Sequence, residues 1–359
     1  MDPRQGREDV LLGEGSDLTA EPAPIRRVTI RDVARLSGSS ISTVSAAFSG
    51  SARVADETRR KIYAAANRLG WRPDRRASKL RRNDTALVGV VWELDQSFQS
   101  ALIDAFYLAS RSHNLELFLA GSTRNNSELN AVRLLLAERC TAVVLMGSGL
   151  EDQQFSELAR QVPTLSFGRA VDAGGADVIL GDPKQGMNQA VSHLHDLGHR
   201  RILHADGAGM PLSVLRETGY RNAMEKAGLG QYARTVPGGD TVMAGIRLAD
   251  LLLKLPQLPT SVITYNDMSA NGLVRRLEQV GVRVPQDISV IGFDDAPIAA
   301  DPITPLTTIA QPVQEMADRA LAILSDRMDS GVLVSPGREI VELLPTKLVA
   351  RNTTGPARS

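Results

Sequence analysis

The chain's apolar positions follow two spacings. Before Gly70 they recur at helical intervals, and beyond Ala86 they gather into short β-branched or aliphatic runs separated by helical patterns. At Thr29-Ile30-Arg31-Asp32 a cap residue is followed three positions on by a carboxylate, the reciprocal pair that satisfies free N–H groups at a helix start. Ile30, Val33 and Ala34 share one face of that helix, and glycine at Ser37-Gly38 permits a tight turn. Ser40 then caps a second helix that faces inward through Val44, Ala47 and Phe48 and leaves Ile41, Ser42, Ser45 and Ala46 pointing elsewhere. A third helix, from Asp56 to Leu69, buries Ile62, Ala65, Ala66 and Leu69, and Gly70 closes it.

Two helices joined by a short turn, with a third packed against them, form a helix-turn-helix, whose second helix enters the major groove of DNA. After Trp71-Arg72-Pro73, the stretch Asp74 to Arg82 could form two helical turns with Asp74 as cap. Alone it would melt, because isolated helices below ~12 residues are marginal. Its five arginines and lysines around Leu80 suit a segment that folds against phosphates and wedges one side chain into the minor groove. A plain solvated linker is the alternative.

Farther on, strands are expected at Leu87–Trp92, Leu115–Ala120, Ala142–Met146, Thr164–Phe167, Val178–Leu180, Arg201–Ala205, Ser261–Thr264 and Ile288–Phe293. Their alternation with helices predicts parallel α/β sheets. Polar residues stand directly after these runs: Glu93, Ser122, Ser148, Arg169, Asp206, Asn266-Asp267 and Asp294-Asp295. Ligands of open α/β sheets bind beyond the carboxyl ends of strands, so these positions mark the natural site. Two such lobes facing each other would make a cleft.

Composition narrows the class. With 43% hydrophobic and 23% charged residues among 359, the chain has the material for several cores, and at 4% aromatic its packing must be aliphatic. No run approaches the ~18 consecutive apolar residues of a membrane span. The opening MDPRQGREDV lacks the layout of a signal peptide, so a cytoplasmic protein with no membrane partner is expected. Cys140 is the single cysteine, which excludes disulfide and cysteine-zinc frameworks within the chain. Residues 1–26, rich in Gly, Pro and acids without periodicity, read as a disordered extension.

The formal net charge of zero hides a segregation. From Arg26 to Arg82 there are 15 Lys and Arg against 4 Asp and Glu, a net of +11, while Met1 to Ile25 carries −4 and the remainder −7. A basic segment attached to a mildly acidic body is the footprint of a polyanion bound at one end, although a solvated basic surface would give the same count.

At this point the sequence resembles the lactose-repressor/galactose-repressor (LacI/GalR) family of transcription regulators, from Val28 to about Arg351. The resemblance rests on ordered motifs. Val28-Thr29-Ile30-Arg31-Asp32-Val33-Ala34, Ser42-Thr43-Val44-Ser45, Trp71-Arg72-Pro73-Asp74 and Ala77 with Leu80 carry it in the basic segment. Val88-Gly89-Val90, Leu197-Gly198-His199-Arg200-Arg201-Ile202, Gly219-Tyr220-Arg221, Asn266-Asp267, Val284 through Asp295 and Pro305-Leu306-Thr307-Thr308-Ile309 carry it beyond.

The resemblance implies a helix-turn-helix headpiece at 27–72, a hinge helix at 73–85 and an effector-binding domain at 86–351, followed by a tail at 352–359. The domain would have the periplasmic-binding-protein fold, with two doubly wound parallel-sheet lobes. The chain would cross between lobes near Gly181-Asp182, Gln311-Pro312 and Ile340-Val341, giving an amino-terminal lobe of 86–181 and 312–340 and a carboxyl-terminal lobe of 182–311 and 341–351. By the same resemblance Ile41, Ser42 and Ala46 address bases, Ser40, Thr43 and Ser45 address phosphates, Thr29, Arg53 and Ala77 complete the DNA contacts, and Leu80 is the wedge. Arg216, Asn266 and Asp294 would hold a small molecule, joined by Glu93, Ser148 and Arg169. An Arg, an Asn and an Asp converging from strand ends suit a polyhydroxyl ligand, the carboxylate accepting from hydroxyls while the others donate. Interlobe salt bridging is the structural alternative.

Several positions depart from the family pattern. Ala46 and Ser78 stand where arginines are usual, and a bidentate arginine is worth ~1–3 kcal/mol of base discrimination. Ala55 replaces a serine cap, Trp92 to Phe98 replaces a stretch with Pro-Asp and Asn-Pro-Phe, and Gly168 stands where Asp is common.

Chemistry for catalysis is missing from the motifs. No Walker lysine follows Gly181-Asp182-Pro183-Lys184-Gln185-Gly186, and there is no Gly-x-Ser-x-Gly elbow. His193, His195 and His199 are better explained by a helix-to-strand junction than by a metal. The expectation is a homodimeric, sequence-specific repressor without cofactor or enzymatic activity, binding a pseudo-palindromic operator under control of a small polar effector of carbohydrate type. The rivals are a solute-binding protein without a DNA role, an α/β enzyme acting on a polar metabolite, and a non-specific nucleoid protein.

Overall fold

The computed structural model describes residues 28–48, 54–71, 86–169, 175–331, 333 and 338–358. The expected amino-terminal extension, Arg53 and the hinge segment with Ala77 and Leu80 lie outside the described residues. The chain divides into two units, Met1–Asp84 and Thr85–Ser359.

The first unit holds α1 (Ile30–Ser37), α2 (Ile41–Phe48) and α3 (Asp56–Arg68). Asp32 accepts from the backbone N–H of Thr29 at 2.9 Å, closing the expected capping box. Gly38 ends α1 at φ 65°, a left-handed conformation that lets the chain turn into α2 within a few residues. Val33, Ala34, Val44, Ala47, Ile62, Ala65 and Ala66 are buried together, joined by Val54. Phe48 meets Tyr63 and Trp71 edge-on at 4.8 and 5.2 Å between ring centroids, sealing one side of this small core. At the start of α3, Ala55 makes no side-chain cap, and Asp56 and Glu57 occupy the first turn, where negative charge favours the helix.

The second unit runs in chain order through β1 (Leu87–Glu93), α4 (Ser97–Ser112), β2 (Glu116–Ser122), α5 (Glu128–Ala137), β3 (Ala142–Met146), α6 (Asp152–Ala159), β4 (Thr164–Phe167), β5 (Asp177–Gly181) and α7 (Pro183–Asp196). It continues with β6 (Ile202–Ala205), α8 (Ser213–Lys226), β7 (Arg234–Val236), α9 (Val242–Leu252), β8 (Ser261–Ile263), α10 (Asp267–Gln279), β9 (Ser289–Ile291), β10 (Thr308–Ala310), α11 (Val313–Ser330), β11 (Val341–Leu344) and β12 (Lys347–Val349).

One lobe is built on a parallel sheet of order β2-β1-β3-β4-β5-β11. Its central strands are buried because helices cover both faces, and β3 reads as a continuous apolar run. Leu102 and Phe106 of α4 pack with Leu321 and Leu324 of α11 in one core, and Leu135 of α5 with Phe155 and Leu158 of α6 in another. The other lobe has a parallel sheet of order β7-β6-β8-β9. Bridges from Ile291 to Thr307 and from Asp294 to Ala310 continue it to β10, against which β12 runs antiparallel. Met187 and Tyr220 anchor the core under α7 and α8, and Leu248, Leu273 and Leu277 the core under α9 and α10.

Two of the three expected crossings between lobes fall where β5 leads into α7 and where β10 leads into α11. The third lies farther along than expected. Residues 341–344 pair with β5, Val341 opposite Val178 and Leu344 opposite Gly181, so the chain changes lobe at Pro345-Thr346 and not at Ile340-Val341. Ile340 already donates its N–H to Asp177, which commits the strand to this sheet before it begins. The expected tail is also corrected. Thr353 exchanges hydrogen bonds with Val290 and caps the N–H of Thr307, and Gly355 bonds Ser289, so this segment is part of the second lobe. His193 and His199 serve the same segment, bonding Thr354 and the carbonyl of Gly355.

Candidate functional site

In the first unit the candidate surface is the outer face of α2. Ile41 is 46% exposed, and Ser40, Ser42 and Ser45 are exposed beside it. Ser40 Oγ accepts from the N–H of Thr43 at 3.0 Å and lies 2.7 Å from both the Ser42 and Thr43 hydroxyls. Thr29 is exposed at the neighbouring helix start and donates its hydroxyl to Asp32 at 2.7 Å. Two further expected contact residues are less exposed. Ala46 is half-buried against the three-helix core, and Thr43 is half-buried with its hydroxyl turned to Ser40. Both follow from the short α2, where Val44 and Ala47 must face α1 and α3 and draw their neighbours partly inward.

In the second unit a cleft of about 740 Å³, its open mouth included, lies between the lobes. Its walls are apolar, with Phe98, Leu102, Met146 and Phe167 from one lobe and Met210, Leu212 and Tyr265 from the other. Polar groups converge on its floor. Arg216, projecting from α8, donates to Asp294 Oδ1 at 3.3 Å and to the carbonyl of Tyr265. Its guanidinium carbon lies 4.4 Å from the Tyr265 ring centroid and 3.8 Å from that of Phe293. Held between two rings and two oxygens, Arg216 has one orientation, and its Nε is buried without a partner among the described residues.

Asp294 stands at φ 109°, a left-handed conformation uncommon for a residue with a side chain. The surrounding bonds impose it: its N–H donates to Ile309, its carbonyl accepts from Gln311, and the next turn is tied by Ala296 N–H to Asp267. The carboxylate is thereby placed at the cleft floor, where Gln311 Nε2 also donates to Oδ1 at 2.7 Å. Burial pushes Asp294 up to about 6, against the pull of Arg216 and Gln311. Behind it, Asp267 is fully buried, accepts from Thr308 Oγ1 at 2.5 Å and from Ala296, and is also held well above the usual carboxylate range by burial and by Asp294.

Asn266 lines the cleft as expected, with most of its amide already engaged. Its Oδ1 caps α10 by accepting from Ser269, and its Nδ2 donates to the carbonyl of Asp240. Glu93 lies at the mouth, its carboxyl pushed above the usual range first by burial and then by Asp240. Ser148 and Arg169 are not among the lining residues. Ser148 is buried and accepts from the N–H of Leu150, while Arg169 turns to the Leu150 carbonyl and Asp152 and covers the Phe155 ring at 4.9 Å. Gly147 and Gly168, one residue earlier in each loop, line the cleft instead.

The polar or aromatic lining residues not anticipated as site residues include Gln96, Gln99, Asp240, Tyr265 and Gln311. Gln96 donates across the cleft to Asp240 Oδ2 at 2.9 Å. Gln311 sits at a position recognisable in sequence only as a lobe crossing, and Asp240 follows β7, a strand of three residues without an apolar run.

A helix-turn-helix and, in the second unit, a cleft between two α/β lobes are the architecture of a DNA-binding regulator class. Residues 29–74 match the family "Bacterial regulatory proteins, lacI family", and residues 191–354 match the periplasmic binding protein-like domain family. The transcriptional regulator GalS of Salmonella typhimurium is 31% identical over 296 residues, covering 81% of this chain and 87% of its own. Among solved structures, the Lac repressor dimer bound to operator and the anti-inducer ONPF superposes with TM-score 0.75 at 27% identity, covering 92% of this chain and all of that one. The regulator CelR in complex with cellobiose superposes with TM-score 0.64 at 27% identity, covering 91% and 100%. The chain belongs to the LacI family of bacterial regulatory proteins.

Proposed function

We propose that this protein is a dimeric repressor in the cytoplasm that binds a pseudo-palindromic operator through α2 and is released or recruited by a small polyhydroxyl effector held between the lobes. The observation that carries the reading is the fixed donor-acceptor set at the cleft floor. Arg216, Asp294, Gln311 and Asn266 bring donors and carboxylate lone pairs together over apolar and aromatic walls, which suits a ligand carrying both hydroxyls and C–H faces. The complex of the similar regulator CelR with cellobiose supports a sugar-like ligand.

Ile41, Ser42 and Ser45 are proposed to address the duplex directly, with Ser40 placed at a phosphate. Effector and operator are coupled through residues 73–85, which join the two units. An effector that favours one lobe arrangement shifts operator affinity, and linkage requires the operator to shift effector affinity by the same factor. Selection of duplexes from a randomised pool, followed by gel-shift titration with and without sugars, tests this. A recovered palindrome whose affinity moves with one sugar is the expected outcome. Retention of unrelated duplexes with no preferred sequence would overturn it.

A further inference from the structure

Resting on the reading of the interlobe cleft as the effector site, we infer that the cleft selects an effector bearing a protonated amine over its neutral or phosphorylated counterpart. The lining contains three carboxylates, Glu93, Asp240 and Asp294, and among the described residues one cation, Arg216. Arg216 is engaged with Asp294, the Tyr265 carbonyl and two aromatic rings, so its positive charge is balanced first by Asp294. Glu93 and Asp240 are left facing the cleft from opposite lobes without a cationic partner in the lining.

Asp240 Oδ2 receives the amide of Gln96 at 2.9 Å, a neutral donor that orients the carboxylate and leaves its charge in place. The charges that reach Glu93 are Asp240, Asp95 and Glu128, all of its own sign, and with burial they push its carboxyl upward. An ammonium between Glu93 and Asp240 would relieve this repulsion, whereas a phosphate would add to it. Arg169, just beyond β4 at the same end of the sheet, is turned to Asp152. The one guanidinium among the described lining residues is already paired with Asp294, so a phosphate would compete with that carboxylate for it.

The test is calorimetric and thermal-shift titration of the full chain with glucose, galactose and mannose. Each is offered as the parent sugar, as the 2-amino-2-deoxy sugar and as the 6-phosphate. The expected order is amine, parent, phosphate, with the amine bound at least ~10-fold more tightly than its parent. Glu93→Gln and Asp240→Asn should each shrink that advantage, read within each variant as the ratio of its affinity for the amine to its affinity for the parent sugar. A phosphate that binds as tightly as the parent, or an amine advantage that survives in both variants, overturns the charge selectivity and leaves the cleft reading standing. Stabilisation by no member of the set overturns both.

Discussion

Gln311 donates to Asp294 Oδ1 at 2.7 Å, which ties one lobe crossing to the carboxylate at the cleft floor. Its side chain also lies over a second crossing, since a Cβ on Gly181 would come within 2.6 Å of Gln311 Oε1. A ligand that draws on Asp294 therefore acts on the joint between the lobes. Replacing Gln311 by Ala removes a hydrogen bond to a buried charged group and should cost about 1.5–3 kcal/mol, read as a lower unfolding midpoint.

The pH dependence of that site has a definite sign. Asp294 is raised from 3.8 to about 6 by burial, so its protonated form is favoured in the folded chain. Its contribution to stability is fully present below 3.8 and is lost as pH rises through about 6. Gln311→Glu places a second carboxyl against it and should extend that loss to higher pH, because two carboxyls in contact share a proton. Scanning calorimetry at pH 5 and pH 8 should show a wider gap in midpoint for the variant than for the unaltered protein. An equal gap in both would place the Asp294 proton elsewhere.

His204 contributes with the opposite sign. It is fully buried on β6, bonded through Nδ1 to the Ile263 carbonyl at 3.1 Å, and burial lowers it from 6.5 to about 4. The stability from keeping this ring neutral is present above pH 6.5 and lost as pH falls through about 4, a loss on the order of 3 kcal/mol. His204→Phe retains an aromatic ring near Tyr220, which lies 5.3 Å away between centroids, and cannot titrate. The acid limb of the midpoint-against-pH curve should flatten in this variant. Parallel limbs would assign the acid loss to other groups.

What could be read from the sequence depended on the length and polarity of each segment. Strands such as Ala142–Met146, uniformly apolar and covered on both faces, stand out as runs. The strands Arg234–Val236, Thr308–Ala310, Val341–Leu344 and Lys347–Val349 are three or four residues long and mix polar with apolar side chains, so neither run nor alternation marks them. At the site, position after a strand pointed to Glu93, Asn266 and Asp294, which line the cleft. It could not give direction, which is why Ser148 and Arg169, equally placed in sequence, turn to Leu150 and Asp152. Gln96 and Asp240 acquire their role only when opposing lobes meet, a relation that no local pattern encodes.

The contact between α9 and α10 yields a packing prediction. A Cβ on Gly245 would lie 2.0 Å from the Ser269 carbonyl oxygen, and one on Gly272 would lie 2.0 Å from that of Val242. Both obstacles are backbone, so the helices would have to separate. Gly245→Ala should cost at least about 2 kcal/mol, measured by denaturant unfolding. Gly149→Ala, whose Cβ would meet nothing nearer than Glu128 Oε2 at 3.9 Å, should be close to neutral and serves as control.

Ser40 separates the folding of the headpiece from its contact with DNA. Its oxygen caps α2 by accepting from Thr43 N–H at 3.0 Å, while its exposed position suits a phosphate contact. Ser40→Ala removes the cap and should cost ~1 kcal/mol of headpiece stability. Ser40→Asp keeps an equally good cap but sets a negative charge toward the proposed phosphate. It should hold the thermal midpoint near that of the unaltered protein while weakening operator binding at least ~10-fold at low salt, with the deficit narrowing as salt is raised. Circular dichroism melting and gel-shift titration on the same samples read the two effects separately. If the Asp variant binds DNA as well as the unaltered chain, the phosphate does not approach this end of α2.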